Sequence, residues 1–344
     1  MTAYAFDVPA VLEAREPPEE RGLRRDEVRL LVARRSDGSV SHQRFADLVD
    51  VLEAGDLLVV NVSATIPAAV SAGLPDGERV TVHFASPAPQ LADGWWVVEL
   101  RSADGGRPLR APVSERVTLE GGAELELVAP YASGARLVLA RFEAADSVID
   151  YLERHGRPIR YGYVQSPWPL DAYQNVYAIT PGSAEMASAG RPFSPELITM
   201  LIARGVLFAP ITLHCGVSSP ERHEAPLPER FEVPEQTAAL IGAVREWGGR
   251  VIAVGTTVVR ALESVAQPDG SAAAGAGWTG LVVTPARGLW LVDGMITGWH
   301  EPEASHLEML EAAAGPQLLA RSYDAALACG YLWHEFGDSH LVLP

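Results

Sequence analysis

Lysine is absent from this chain of 344 residues: all 27 basic side chains are arginine. That removes Schiff-base and pyridoxal chemistry, a lysine general base and a lysine-bearing phosphate loop in one step. Arginine-only usage also has a bland origin in a GC-rich coding sequence. Cysteine is nearly absent as well. Cys215 and Cys329 are too few and too far apart for a disulfide framework or a cysteine zinc site, as expected of a reducing cytoplasm. No apolar run approaches the roughly 20 residues that a membrane span needs, and the first residues are too charged for a secretory leader. A membrane partner is therefore not expected. Positive charge is scarce overall: the formal net charge is −17, which argues against broad nucleic-acid binding and leaves room only for a local basic patch.

What is present is ordinary globular material, 48% apolar and 21% charged, enough for a large core and, at roughly 150 residues per domain, for two domains. Short apolar runs at 28–33 and 55–61, bounded by turn or charged residues, read as buried strands. From the turn cluster at 73–77 to about residue 143 come short alternating segments, 79–84, 95–100, 123–128 and 136–142, separated by glycine-rich turns. Such spacing predicts a small all-β barrel, inserted as a domain over 71–145. The period then changes. A helix over 146–155 has an Asp146 cap and a Gly156 stop, and Ser194-Pro195-Glu196 opens another. A buried strand at 206–214 follows. A helix over 234–247, with Leu240, Ile241, Val244 and Trp247 on one face, precedes a strand at 250–254. These helix-then-strand units predict an α/β, barrel-like main domain made of 1–70 and 146–344, ending in a helical tail over 303–330 that Pro316 divides.

Three stretches could carry chemistry. In the first, the strand ending at Val254 runs into Gly255-Thr256-Thr257 and a helix, with Arg260 one turn on. Free N–H groups at the helix start, two hydroxyls and a guanidinium suit a carboxylate or phosphate; the same residues also read as a plain capped turn. In the second, Thr212-Leu213-His214-Cys215-Gly216 closes the preceding strand. If the strands are parallel, His214 and Thr256 share the carboxyl-end edge, where α/β folds place their sites. His214 can act as a general base or acid, or sit as a structural imidazole. Cys215 points to the opposite face, which speaks against a Cys–His nucleophile. The third, 293–302, holds an acid, a hydroxyl and His300. His300, Glu301, His306 and the pair His223-Glu224 match no standard ligand spacing, so no metal is expected. Loops around Tyr177 and over Ser188-Ala189-Gly190 could line a pocket, small residues allowing close approach, or could simply be packed loops.

Taken in order, these segments resemble the S-adenosylmethionine:tRNA ribosyltransferase-isomerase family of queuosine biosynthesis over nearly the whole chain. The resemblance runs from Phe6-Asp7-Val8-Pro9 through Gly55–Asn61, Ile66-Pro67, Tyr173–Ala178, Pro181-Gly182-Ser183 and Ala189-Gly190. It continues through Thr212–Gly216, Gly255–Arg260 with Leu262-Glu263-Ser264, Asp293-Gly294, His300-Glu301-Pro302 and Gly337-Asp338. It implies an α/β domain with a β-barrel insertion. It also implies S-adenosylmethionine as co-substrate, giving up its ribosyl part to a deazaguanine acceptor. On that resemblance Gly255, Thr256, Thr257, Arg260 and Thr212 would hold the methionine carboxylate or ribose. Ser188, Ala189 and Gly190 would form a close wall, Tyr177 would stack, and His214 would be the base, with His300 and Glu229 as further candidates.

The departures lie elsewhere. The family's Asn-Asp-Thr-Arg-Val-Ile-Pro-Ala-Arg reads Asn61-Val62-Ser63-Ala64-Thr65-Ile66-Pro67-Ala68-Ala69 here, without the acid and both arginines. Its Pro-Thr-Ala-Gly-Leu-His-Phe reads Ala187–Phe193, with Pro192 for the histidine. Of its Glu-His-x-Met-His-x-Glu loop only 223–229 remains, with the histidines out of register. Each lost arginine can remove a phosphate contact. Three readings therefore stand: the family's activity on tRNA, a diverged enzyme acting on a small nucleobase-like acceptor or on S-adenosylmethionine alone, and a non-catalytic binder.

Overall fold

The computed structural model describes residues 6–131, 136–217, 227–302, 304 and 306–344. The buried apolar runs become the middle of a nine-stranded mixed sheet. Its order is Gly275–Thr279, Glu229–Val233, Leu207–Leu213, Leu57–Asn61, Val251–Val254, Gly294–Gly298, Ser339–Leu343, Arg29–Arg34 and Val40–Arg44. The four strands from Leu207–Leu213 to Gly294–Gly298 are parallel to one another. Strands Leu57–Asn61 and Val251–Val254 are buried throughout, as a strand covered on both faces must be. One core packs Leu57, Val59, Ile211 and Ala253 beneath helices Glu235–Glu246 and Thr256–Val265. A second core on the other face packs Leu58, Val60 and Ile252 with Phe193 and Leu197.

The α/β expectation with an inserted all-β barrel holds. Six antiparallel strands close into a barrel in the order Leu137–Glu143, Trp95–Ser102, Arg79–Pro87, Ala69–Gly73, Glu115–Leu119 and Glu124–Pro130. The large sheet keeps two end strands, so its barrel-like character stops short of closure. Two barrel strands escape sequence reading. Ala69–Gly73 is built of small residues, and Glu115–Leu119 buries only Val117 and Leu119. Among the described residues no helix is long and apolar enough to cross a membrane.

Local signals account for most helix ends. Ser194 Oγ accepts from Leu197 N–H at 3.1 Å, and Pro195 begins the helix Pro195–Ala203. The tail forms two helices, His306–Ala314 and Pro316–Ala328. Three expectations are corrected. The cap of Val148–His155 is Ser147, which accepts from Asp150 N–H, not Asp146. Trp247 is 67% exposed, because the helix Glu235–Glu246 ends before it and it falls off the buried stripe. Strand Leu207–Leu213 is only half-buried. It pairs with Glu229–Val233 only at Thr212 and Leu213, so Pro210 sits on a free edge where its missing N–H costs nothing.

Asp338 ties the two ends of the chain's core together. Its carboxylate accepts from Arg29 N–H (2.8 Å), Arg29 Nε (3.0 Å) and Nη2 (2.7 Å), and Leu332 N–H (2.8 Å). Asp338→Ala should cost about 3 kcal/mol, the low end for a buried pair because Arg29 reaches solvent. Urea denaturation should show a lower midpoint with an unchanged slope.

Candidate active site

Four parallel strands deliver their carboxyl ends to one edge of the sheet, and each carries a polar group there: His214, Asn61, the Gly255-Thr256-Thr257 turn and His300. His214 and Thr256 share the carboxyl-end edge, as parallel strands require, but their strands are not adjacent: they flank Leu57–Asn61, and Asn61 joins them. Its amide donates to Leu213 O (2.8 Å), accepts from Leu213 N–H (3.0 Å) and reaches Thr257 Oγ1 at 3.5 Å.

The imidazole of His214 is positioned by two serines. Its Nδ1 lies 2.8 Å from Ser63 Oγ, Ser63 Oγ lies 2.7 Å from Ser183 Oγ, and Ser183 Oγ accepts from Cys215 N–H at 2.9 Å. Either hydroxyl can donate, so the relay can run in both directions. When Nδ1 donates to Ser63, the lone pair at Nε2 is free for a proton. Burial, with the Arg230 charge adding to it, lowers the ring to about 4, so the imidazole is neutral at physiological pH. Burial also pushes the Cys215 thiol up, which keeps it protonated and non-nucleophilic.

Gly182 makes room for this ring. A Cβ there would stand 2.5 Å from His214 Nδ1, and its φ of +153° disfavours other residues. Gly182→Ala should therefore displace the imidazole from Ser63 and destabilise the fold by about 1–3 kcal/mol. A thermal melt beside the His214 ring resonances would register both effects.

The opposite wall joins the Gly255 turn to the Ser188–Gly190 turn. Gly255, at φ +101°, opens helix Thr256–Val265, and a Cβ on it would lie 3.4 Å from both Ala189 Cβ and Thr257 Oγ1. Thr256 is buried beside it. Behind Ala189, a Cβ on Gly190 would overlap the Tyr177 hydroxyl and stand 2.8 Å from Asn175 Nδ2. The Tyr177 hydroxyl and Asn175 Oδ1 are buried without partners, while Asn175 Nδ2 donates to Ala187 O at 3.0 Å. Burial raises the Tyr177 phenol, so it is a hydrogen-bond donor at neutral pH. Its ring packs on Phe193, centroids 6.1 Å apart.

Other candidates are engaged with one another. Arg260 pairs with Glu229 and donates to Leu281 O (3.1 Å), Thr279 O (3.0 Å) and Leu227 O (3.2 Å). Glu229 also accepts from Gly216 N–H at 3.0 Å; burial raises its carboxyl and Arg260 opposes that. Arg260 and Glu229 thus meet each other. Thr212 is half-buried and pairs in register with Glu232. His300 Nε2 bonds Thr297 Oγ1 at 2.8 Å, and its ring stacks on His306 at 4.7 Å. Burial, with the neighbouring histidines adding to it, lowers the His300 ring. Among the described residues no three metal-ligating side chains converge; His223 and Glu224 lie outside them.

Residues 1–342 match the family model described as queuosine biosynthesis protein. The S-adenosylmethionine:tRNA ribosyltransferase-isomerase of Heliobacterium modesticaldum is 35% identical, over 99% of this chain and 98% of that protein. Its namesake from Gloeobacter violaceus is 36% identical over 99% and 95%. The chain belongs to the queuosine biosynthesis protein family. A crystal structure of S-adenosylmethionine tRNA ribosyltransferase from Thermotoga maritima matches with a TM-score of 0.55 at 28% identity, covering 98% of this chain and 99% of that one.

Within this family of enzymes, two shared motifs prove to be scaffolding here. Glu263 accepts from the N–H groups of Trp290, Leu291 and Val292 and pairs with Arg287 at 2.7 Å, and Asp338 anchors Arg29. Sequence reading missed Asn61, Ser63, Ser183 and Asn175 as site residues. Ser63 lies in a motif scanned for what it had lost, and the pairing of residues 120 and 151 positions apart has no local signal. It also missed Glu335, which lines a narrow cleft with Ser188, Ala189 and Pro192. Glu335 accepts from Tyr163 Oη at 2.7 Å, and burial raises it to about 7. An ionisable carboxyl therefore stands beside the position where the family pattern carries histidine.

Proposed function

We propose that the chain transfers the ribosyl part of S-adenosylmethionine to a deazaguanine-type acceptor carried by the queuosine-precursor tRNA, in the cytoplasm. In this reading 71–145 is an inserted domain and 1–70 with 146–344 form the main domain. The observation that carries the reading is a neutral imidazole, His214, held by a serine relay at the edge where four parallel strands end.

The sulfonium of S-adenosylmethionine acidifies the adjacent ribose C5′–H. His214 Nε2 takes that proton, leaving the electron pair on carbon beside sulfur. The acceptor amine bonds to C1′ as adenine departs with a proton from that amine. The C1′–O4′ bond then breaks to leave an iminium at C1′, and the C5′ electron pair adds to C1′. The freed O4′ closes the epoxide on C5′ as methionine leaves with the sulfonium's bonding pair. Each step is helped by a site poor in water, where fixed dipoles replace solvent. The start of helix Thr256–Val265, with the Thr256 and Thr257 hydroxyls, suits the methionine carboxylate. The Tyr177 hydroxyl and Asn175 Oδ1 offer a donor and an acceptor beside Gly190 for ribose or adenine. Arg260, paired with Glu229, supports the wall behind them.

A small-molecule acceptor is the second reading. It is favoured by the net charge of −17 and by Ala64 and Ala69 standing where the family pattern has arginines. The test is incubation with S-adenosylmethionine alone, with free deazaguanine and with precursor tRNA, reading adenine and methionine by mass spectrometry. Release only with tRNA supports the first reading. Release with the free base supports the second, and no release with any acceptor overturns both.

A further inference from the structure

A second pocket lies where the barrel meets segment 157–173. It is lined by Thr81, His83, Arg157, Arg160, Trp168 and Tyr173. Its polar groups are mostly donors, and three buried atoms among them have no hydrogen-bond partner, one of them His83 Nδ1, which stands 3.7 Å from Glu99. The indole N–H of Trp168 is buried without an acceptor, and so is the hydroxyl of Tyr173, a residue only 4% exposed. Burying such groups unpaired is costly, and an indole nitrogen can only donate. Two guanidinium groups join them. Arg157 is held in place by Ser71 Oγ and Thr81 Oγ1, both at 2.9 Å, and Arg160 by Gln165 O at 2.7 Å. Each keeps further N–H groups free. Gly105 is a buried part of the lining, where a Cβ would lie 4.0 Å from His83 Nε2 and 3.7 Å from Arg160 O.

Among the lining residues the charge balance is positive, although Glu335, outside the lining, is the charge acting most strongly on the Tyr173 hydroxyl, ahead of Arg160. Asp104 is the only acid among the lining residues, and it is turned into its own loop, accepting from Ser102 Oγ at 2.5 Å and Gly106 N–H at 2.9 Å. Donors without acceptors, backed by two fixed cations, describe a site for an oxyanion.

The pocket is also tied to the candidate active site. Thr65 Oγ1 donates to Tyr173 O at 2.7 Å, and Gln174 bonds both Thr65 N–H (3.0 Å) and Thr65 O (2.7 Å). Thr65 is two residues along one strand from Ser63, the partner of His214. The two linking residues are thus about 7 Å apart along the strand. The active-site edge and the pocket are joined through one short strand.

We propose that the pocket of Arg157, Arg160, Trp168 and Tyr173 binds a phosphate group of the acceptor. The inference deepens the acceptor side of the proposed function and rests on that reading only for the source of the phosphate, a polynucleotide phosphodiester or a free nucleotide. It provides a localised contact for an anion on a protein whose overall charge repels one.

The test uses the full chain and three probes: inorganic phosphate, guanosine 5′-monophosphate and an anticodon stem–loop RNA, each titrated by calorimetry. Tyr173→Phe removes only the unpaired hydroxyl, whereas Trp168→Phe removes the indole N–H together with part of a packed ring. Without ligand Tyr173→Phe should melt at or above the wild-type temperature, because it deletes an unsatisfied group. The affinity of both variants for at least one probe should fall roughly tenfold per lost charge-assisted bond. Arg160→Gln, on the pocket rim, should weaken the same probe and reduce its salt dependence. Loss confined to RNA identifies a phosphodiester, and loss shared with the mononucleotide identifies a free phosphate. Equal binding of all probes by wild type and variants, or no binding of any probe by the wild type, overturns the proposal. S-adenosylmethionine binding, measured in parallel, should be the same in all variants. An absence of adenine release with phosphate binding intact would sink the reaction while leaving this pocket standing.

Discussion

Folding stability should fall steeply as pH drops from about 7 to 4. Six of the nine histidines, His83, His214, His300, His306, His334 and His340, have rings held below their ordinary range, with burial the main cause in each. The sign follows from proton counting. His214, His306 and His334 are lowered from 6.5 to about 4, and His340 to about 3, so between those values the unfolded chain binds protons that the native protein refuses. Their contribution is whole above pH 6.5 and lost as pH falls towards 4.

Three carboxyls, Glu229, Glu301 and Glu335, are raised by burial and act in the opposite direction, destabilising the native state as pH rises through 4.5 and above. The histidines outnumber them. At pH 5 His214, His306, His334 and His340 each cost about 1 kcal/mol after discounting for partial hydration, or roughly 4 kcal/mol in all, close to a whole domain's stability. The melting temperature should drop by about 10 °C between pH 7.5 and 5. His340 offers an internal check. Both its ring nitrogens are buried without partners and it stacks on Trp299 at 4.8 Å. His340→Phe should narrow the gap between the two melting temperatures. A flat profile, or one that His340→Phe leaves unmoved, would contradict the account.

His214→Ala should reduce adenine release from S-adenosylmethionine by about 10²–10⁴-fold, the range for a lost general base, while changing the cofactor's Kd little. Ser63→Ala removes the hydroxyl at Nδ1 but keeps the imidazole, so it should cost less, about tenfold, and displace the pH profile of the rate. Rates of both variants within a few-fold of wild type, in protein with an unchanged melting temperature, would remove His214 from the mechanism. A loss seen only in KM would assign it to binding instead.

Much of the frame was legible along the chain because its signals are local. A capping serine before a proline at 194–195, apolar runs between turn residues at 57–61 and 251–254, and a helix start after Gly255 each depend on neighbours a few positions away. Where side chains are small, as in Ala69–Gly73, or the pattern is short, as in Glu115–Leu119, that signal fades and the strand is found only by its partners in the closed barrel. The ionic pairing of Arg260 was equally hidden. Its position one turn into a helix suggested a ligand contact, but a strand 31 residues earlier in the chain supplies Glu229.

The amino-acid order alone therefore determined the class of fold, the inserted β segment, the family resemblance and the candidacy of His214. Only the tertiary structure decided that Asn61 stands between the two expected strand ends, that Ser63 and Ser183 orient the imidazole, and that Trp168 and Tyr173, each with a buried unpaired donor, line one pocket with two arginines. The division has a physical cause. Backbone periodicity and caps are set by residues within a turn or two, whereas a buried hydrogen bond is chosen among groups from the whole chain once folding has excluded water.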